Sequence, residues 1–284
     1  MKFAYYPGCS LHGTAREYDV STRAVCSALG IELEEVPDWN CCGATSAHSI
    51  DQKLAQLLPA RNLKIIEGQK LDVIIPCAAC FSRTRLCAHT LDNDASVRSE
   101  IETELDYKFQ RNMKIYHLME LLVQEIGIEK IKERIKCTLE GLSAVCYYGC
   151  LLVRPHEVTQ IDDKENPQFL DEIISSTGIE TIDWPYKTEC CGGSLSLSRG
   201  TLVTKLVSRM ISWAEEAGAN VIVTACPLCQ ANLEMRQGKG QNFPVFYFTE
   251  LLALAFDIKE VKDTFKKHLI DVSKVLKKVH ADLT

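Results

Sequence analysis

Short apolar runs rich in Val, Ile and Tyr alternate along the chain with longer stretches in which apolar residues recur at helical spacing. The runs at residues 2–6, 31–36, 71–76, 143–148, 179–183 and 220–225 predict strands. Helical spacing predicts helices over 14–29, 51–67, 114–126, 200–217 and 248–256. Strands that alternate with helices in this way predict an α/β fold with mostly parallel sheets.

The pattern is written twice. "YYPGC" stands beside "YYGC", "DVIIPCAAC" beside "NVIVTACPLC", and "YHLMELL" beside "YFTELLA". Cysteines carry the repeat most clearly: Cys9, Cys41 and Cys42, Cys77 and Cys80, then Cys150, Cys190 and Cys191, Cys226 and Cys229. Each set reads C, CC-G, C-x-x-C, with 34 residues between the pair and the C-x-x-C in both halves. The stretch before the pair is 31 residues in the first half and 39 in the second, which indicates an insertion. Self-similarity on this scale is the mark of an internal duplication. It predicts two pseudo-symmetric Rossmann-like units, residues 1–140 and 141–284, meeting near 130–142, the second ending in a helical tail.

A chain of 284 residues that is 46% hydrophobic can bury one large core or two smaller ones. Its net charge of -6 supplies no broad basic field for nucleic acid or an anionic membrane. The opening "MKFAYYPGCS" has no apolar signal-peptide core, and the densest apolar stretch, "FPVFYFTELLALAF", is 14 residues long and contains Glu250. No membrane span is expected, and a cytoplasmic setting would keep the 14 cysteines reduced.

The predicted strands place Cys9 and Cys150 just after a strand, Cys77 and Cys226 at a strand end, and each CC-G between a strand and the next helix. Five thiols per half then gather at the carboxyl ends of parallel strands, where open α/β sheets bind ligands. Nearby helix amino termini favour thiolates and anionic groups there. Adjacent cysteines make poor disulfides, because the small ring they close strains the peptide between them. Structural zinc, in one half or both, competes, although its usual two knuckles are here a single knuckle, a vicinal pair and a distant fifth cysteine. An iron-sulfur cluster suits five thiolates if one is spare or bridging. The glycine after the pair lets backbone approach a bulky inorganic core.

At these residues the chain resembles the CCG-domain family, and within it the B subunits of methanogen coenzyme B-coenzyme M heterodisulfide reductases. The resemblance covers nearly the whole chain through both copies of the motif, with a spacer at or just under the family's usual length. It implies that Cys9, Cys41, Cys42, Cys77 and Cys80 hold one noncubane [4Fe-4S] cluster and that Cys150, Cys190, Cys191, Cys226 and Cys229 hold a second. It further implies an oxidoreductase of methanogenesis that reduces the mixed disulfide to CoM-SH and CoB-SH by one-electron cleavage between facing clusters. Duplication suggests a pseudo-twofold axis with the pockets opposed across a cleft and the disulfide near the axis. Implied partners are a ferredoxin-like C subunit, a flavin-containing A subunit, and a hydrogenase or formate dehydrogenase in a larger complex. Two alternatives stand beside this: a CCG electron-transfer subunit of a succinate dehydrogenase-like, lactate-utilising or glycolate-oxidising complex, and a zinc-stabilised scaffold.

The remaining signals are weaker. The chain has no C-x-x-C-x-x-C-x-x-x-C-P run and no G-x-G-x-x-G, so electrons are expected from other chains. Arg83, Arg85, Arg199 and Arg236 follow the motifs and are candidates for an anionic substrate, though solvated arginines are an equal reading. His12, His48 and His156 are proton-carrier candidates set against ordinary surface histidines. Cys26 and Cys146 are expected in the core, Cys87 as an outside candidate for a ligand, and Cys137 without a role. Residues 259–280 hold seven lysines and three acids at helical period and predict a solvated terminal helix, with docking to an acidic partner as the alternative.

Overall fold

A computed structural model describes residues 1–44 and 47–279. Two four-stranded sheets, parallel throughout, repeat one topology. The first contains β1 (Lys2–Tyr5), β2 (Glu32–Glu35), β3 (Val73–Ile74) and β4 (Ile115–Tyr116) in the order β2-β1-β3-β4. The second contains β5 (Ser143–Tyr147), β6 (Glu180–Ile182), β7 (Val221–Thr224) and β8 (Val245–Tyr247) in the order β6-β5-β7-β8. Ala4 sits opposite Val73 in one sheet as Ala144 sits opposite Val221 in the other. In each sheet the chain leaves the first strand to one side and returns on the other. That reversal opens a crevice at the carboxyl ends of the two central strands, the usual ligand position in such sheets.

Central and edge strands differ as their surroundings require. All four residues of β7, "VIVT", are buried, as a strand covered on both faces demands, whereas β2, "ELEE", keeps its acids half or fully exposed. Lys2 pairs with Glu32 and Glu34 along that edge.

The main helices are α1 (Gly8–His12), α2 (Arg16–Ala28), α3 (Gln52–Gln69), α4 (Ala78–Asn93), α5 (Gly200–Glu216), α6 (Pro227–Met235) and α7 (Phe248–Ala255). Asp51 caps α3 by accepting the N–H groups of Lys53 and Leu54, and Pro227 starts α6 at a position where its missing N–H costs nothing. The expected helix over 114–126 is replaced at its start by β4, followed by a turn of helix at Leu118–Leu121 and a π-turn at Leu122–Ile126. β8 is likewise a strand that the apolar pattern does not predict. Both edges are two or three residues long and run straight into a capping box, His117 with Glu120 and Tyr247 with Glu250, so helical signal masks them.

One apolar core runs through both halves, from Phe3 to Leu276, and a smaller one around Val203, Val207 and Trp184 belongs to the second half alone. At the junction α2 packs on α7. There the ring of Tyr18 stacks on that of Tyr247 at 4.2 Å between centroids, and Ser21 shares a 2.7 Å hydrogen bond with Thr249. The carboxyl-terminal segment is no solvated helix. It is a 3-10 stretch at Lys259–Lys267 and a short helix at Ser273–Val279, with Val261, Phe265, Val275 and Leu276 buried. A large apolar side chain gains roughly 1.5–3 kcal/mol on full burial, which holds the segment against α2 while its lysines stay outside. His280 lies outside the described residues. No helix among the described residues is long and apolar enough to cross a membrane.

Candidate metal centres

Each half builds its thiol group from the same three places. β1 ends at Tyr5, and Gly8 at φ 72° turns the chain so that Cys9 enters α1; β5 ends at Tyr147, and Gly149 at φ 70° makes the equivalent turn before Cys150, which opens a non-helical turn. Cys77 and Cys226 cap α4 and α6, which puts Cys80 and Cys229 in the first turn of each helix. The vicinal pairs follow β2 and β6, and Gly43 (φ 76°) and Gly192 (φ 77°) adopt the left-handed turn that a side chain would strain.

The geometry gathers the five thiols of each half. Cys42 contacts the thiols of Cys41 and Cys80, Cys80 reaches Cys77, and Cys9 lies within electrostatic reach of Cys41. In the second half Cys150 contacts Cys190, Cys229 contacts Cys226, and the sulfurs of Cys191 and Cys229 are 3.8 Å apart. All fourteen cysteines are free thiols. Cys42, Cys77 and Cys80 are buried while Cys9 and Cys41 are exposed; Cys191 and Cys226 are buried while Cys190 is exposed and Cys150 half-buried. The first site is thus sealed on the knuckle side, the second only at Cys226 because Cys229 is half-buried, and both are most open at the first member of the pair.

Backbone N–H groups point at the sulfurs. Gly43 donates to Cys41 at 3.4 Å and Gly192 to Cys190 at 3.3 Å; Ala44 and Gly193 donate to Cys42 and Cys191. Neighbouring thiols set one another's ionisation. Hydrogen bonds from Cys41 and Cys80 pull Cys42 far down, and the same bonds push Cys41 and Cys80 up. Cys190 is lowered to about 6 by Cys150, which rises in turn; Cys191 and Cys226 fall at the expense of Cys229. Five thiols this close cannot all ionise without a cation among them.

The donor set suits a polynuclear core. Among the described residues no three Cys, His, Asp or Glu side chains stand together in a way that would hold a single metal ion. Close packing around the sulfurs is also built in: a Cβ on Gly8 would stand 2.7 Å from the Cys80 sulfur, and one on Gly149 would stand 3.2 Å from that of Cys229.

A sequence profile of the CCG cysteine-rich domain matches twice, over residues 3–83 and 144–234, more than half of the chain. The chain belongs to the CCG family. The 8-methylmenaquinol:fumarate reductase membrane anchor subunit of Wolinella succinogenes is 28% identical to it over 284 residues, covering 96% of this CCG protein and 99% of the relative. The B subunit of the ferredoxin:CoB-CoM heterodisulfide reductase of Methanosarcina mazei is 27% identical over 267 residues, 89% of either chain. A hypothetical protein from Helicobacter pylori, solved by crystallography, shares the fold with a TM-score of 0.72 at 11% identity over 95% of the present chain, which spans 52% of that protein's length.

Several residues of the CCG sites carry no motif of their own. The Tyr6 hydroxyl donates to the carbonyl of Asn40 at 2.9 Å, and that of Tyr147 donates to the carbonyl of Glu189 at 2.6 Å. Each tyrosine stands three residues before the first cysteine and holds the residue before the vicinal pair, so Tyr6 corresponds to Tyr147 and Pro7 to Tyr148. That fixed offset is the signal by which sequence could have found them. Tyr18 has none: its buried hydroxyl lies 3.0 Å from the carbonyl oxygen of Pro76 and 3.2 Å from that of Ala225, the residues before Cys77 and Cys226. His117, fully buried, donates from Nε2 to the Pro76 carbonyl at 2.8 Å and accepts the Met119 N–H at Nδ1. Burial holds its pKa down at about 4, so the ring is neutral at neutral pH. The two knuckles therefore stand within two hydrogen bonds of each other. Tyr18 and His117 stand beside the carbonyls of Pro76 and Ala225, which precede the two knuckles. Neighbouring elements also cross over: α1, with Cys9, touches α6, with Cys229, and the turn His156–Thr159 touches α4.

The other candidates scatter. Arg85 pairs with Glu120 at 2.9 Å and donates to the carbonyls of Ile115 and Thr159, and Arg236 is tied to Ser196. Arg199 is exposed, while Arg83 is half-buried beside Cys42. His12 meets Glu35 at 2.9 Å, His156 reaches the Asp162 carbonyl at 3.2 Å, and the Nδ1 of His48 is buried without a partner among the described residues. Cys26 and Cys146 are core residues, Cys87 is buried with its sulfur toward the Gln56 carbonyl, and Cys137 donates its N–H to Ala255. A polar cavity of about 450 Å³ lined by Arg85, His89, Arg111, Glu120 and Glu157, among others, contains none of the ten motif cysteines.

Proposed function

We propose that this CCG protein is an electron-transferring subunit of a multisubunit oxidoreductase, that its ten motif cysteines hold two noncubane [4Fe-4S] clusters, and that its reaction is reduction of the coenzyme M-coenzyme B heterodisulfide to two thiols. Cys9, Cys41, Cys42, Cys77 and Cys80 would hold one cluster, and Cys150, Cys190, Cys191, Cys226 and Cys229 the other. Such clusters each exchange single electrons, so two together supply the pair that a disulfide bond takes up. The observation that supports the reading is the gathering of five thiols in each half, with Tyr18 joining the two knuckles through the carbonyls of Pro76 and Ala225.

The chain's own parts have distinct tasks. The knuckle thiols, buried except for half-buried Cys229, anchor each site, and backbone N–H groups at Gly43, Ala44, Gly192 and Gly193 stabilise sulfur charge. Tyr6 and Tyr147 fix the loops that carry the vicinal pairs. Exposed Cys9, Cys41 and Cys190 mark the face open to a substrate or a partner chain. A ferredoxin-like C subunit and a flavin-containing A subunit, fed by a hydrogenase or formate dehydrogenase, fit a chain without ferredoxin or Rossmann motifs of its own.

A second reading keeps both clusters and passes the electrons to another acceptor, as the near full-length match to a fumarate reductase subunit favours. Cys41→Ala and Cys190→Ala, prepared anaerobically, are each expected to lose the iron of one half and all heterodisulfide reduction. Full activity in either variant overturns the scheme. A fully iron-loaded complex that ignores the heterodisulfide yet passes electrons to fumarate selects the second reading.

A further inference from the structure

Both sites receive the same backbone donors in the same places, from the residue after each vicinal pair and the one beyond it. Charges do not repeat in the same way. Arg83 stands three residues after Cys80 on α4, one turn along and so on the same helix face. It lies beside Cys42, and its Nε is buried without a hydrogen-bond partner among the described residues. The corresponding position on α6, three residues after Cys229, is Asn232, a neutral side chain that donates to the Cys191 carbonyl at 2.6 Å. The residue before the pair differs too: Asn40 in the first half, Glu189, an acid directly before Cys190, in the second.

Both differences act in one direction. The first site has one positive charge more and one negative charge fewer at equivalent positions. Net charge beside an iron-sulfur cluster is among the main determinants of its potential, and a positive neighbour stabilises the reduced state. Glu189 is exposed, so solvent screens it; Arg83 is half-buried with no acidic partner among the described residues, so it dominates.

We propose that the two sites are unequal electron acceptors: a cluster in the Cys9 half takes its electron at the higher potential, and Arg83 sets the gap. This rests on the cluster reading above. An electron delivered to the chain then settles first on the amino-terminal site, and the Cys150 half, once reduced, is the stronger reductant.

Anaerobic reductive titration of the iron-loaded chain, followed by electron paramagnetic resonance with iron measured on every sample, tests this. The unaltered protein should be reduced in two separate one-electron waves, and Cys41→Ala should keep the lower one. Arg83→Gln should lower the upper wave and leave the other in place, while Arg83→Lys keeps it. Asn232→Arg should raise the lower wave, and Glu189→Gln should raise it by a smaller step. A single wave in the unaltered protein, or an upper wave unmoved in an Arg83→Gln variant with full iron, overturns the proposal. Should Arg83→Gln lose iron, Asn232→Arg decides, and an unmoved lower wave there overturns it equally. A chain that binds no iron at all removes the cluster reading and this proposal together.

Discussion

Behind the knuckles the two halves meet the same need with different residues. Five positions after Cys80 stands Arg85, paired with Glu120 at 2.9 Å inside its own half; five positions after Cys229 stands Glu234, facing Glu250, the counterpart of Glu120. Two buried carboxylates would repel, and the cation comes from the tail: His268 lies 2.8 Å from Glu234 and 3.1 Å from Glu250, almost wholly buried. Burial opposes the charge on His268, but the two glutamates outweigh it and raise its pKa to about 10. The backbone N–H of Leu269 also donates to Glu234. The duplicated parts that repeat are sheet, turns and thiols, whereas charge is free to move between elements provided each buried group keeps a partner. One consequence is that the second half draws its buried cation from residues 259–279, whereas the first half supplies its own.

Removing the borrowed cation should have the largest effect. His268→Ala leaves Glu234 and Glu250 buried without a counterion, which costs on the order of 3–5 kcal/mol. Arg85→Ala should cost less, because the Arg85 side chain keeps 17% exposure and water can reach Glu120 in its absence. Urea denaturation of both variants checks the order, and equal losses would dissolve the contrast.

Alkali should separate the halves more gently. The folded pKa of His268, about 10, lies above the ordinary histidine value, so its stabilisation is complete below about pH 6.5 and disappears as pH rises through 10. Protection factors in residues 259–279, with the intrinsic pH dependence of amide exchange removed, should fall over that range while those in α4 and β4 hold, since an arginine keeps its charge. An equal fall in both halves would refute the difference.

The smallest contrast lies at the turns. Gly8→Ala and Gly149→Ala both force an alanine into a left-handed turn, at about 1–2 kcal/mol each. The new Cβ meets the Cys80 sulfur at 2.7 Å in one case and the Cys229 sulfur at 3.2 Å in the other. Iron analysis is expected to show a deeper loss from Gly8→Ala than from Gly149→Ala.

Much of this contrast is invisible in the sequence, while the repeat itself is plain. The alternation of apolar runs and helical stretches leads to six of the eight strands, and the all-parallel α/β class follows from it. The cysteine spacing leads to the thiols that gather at the strand ends. What escapes depends on distance along the chain or on very short elements. Tyr18 reaches partners 58 and 207 residues away, and no local pattern encodes such a bond. β4 and β8 are too short to alternate. The tail departs from its expected solvated helix because lysines dominate its composition, although Val261, Phe265 and Leu276 are what place it.

The central claim, two five-thiol sites each built around an inorganic core, is tested most directly by iron, zinc and acid-labile sulfide analysis of the anaerobically prepared chain. Two four-iron clusters predict about eight irons with matching sulfide and no zinc. A colourless chain carrying two zincs and no sulfide would contradict the account.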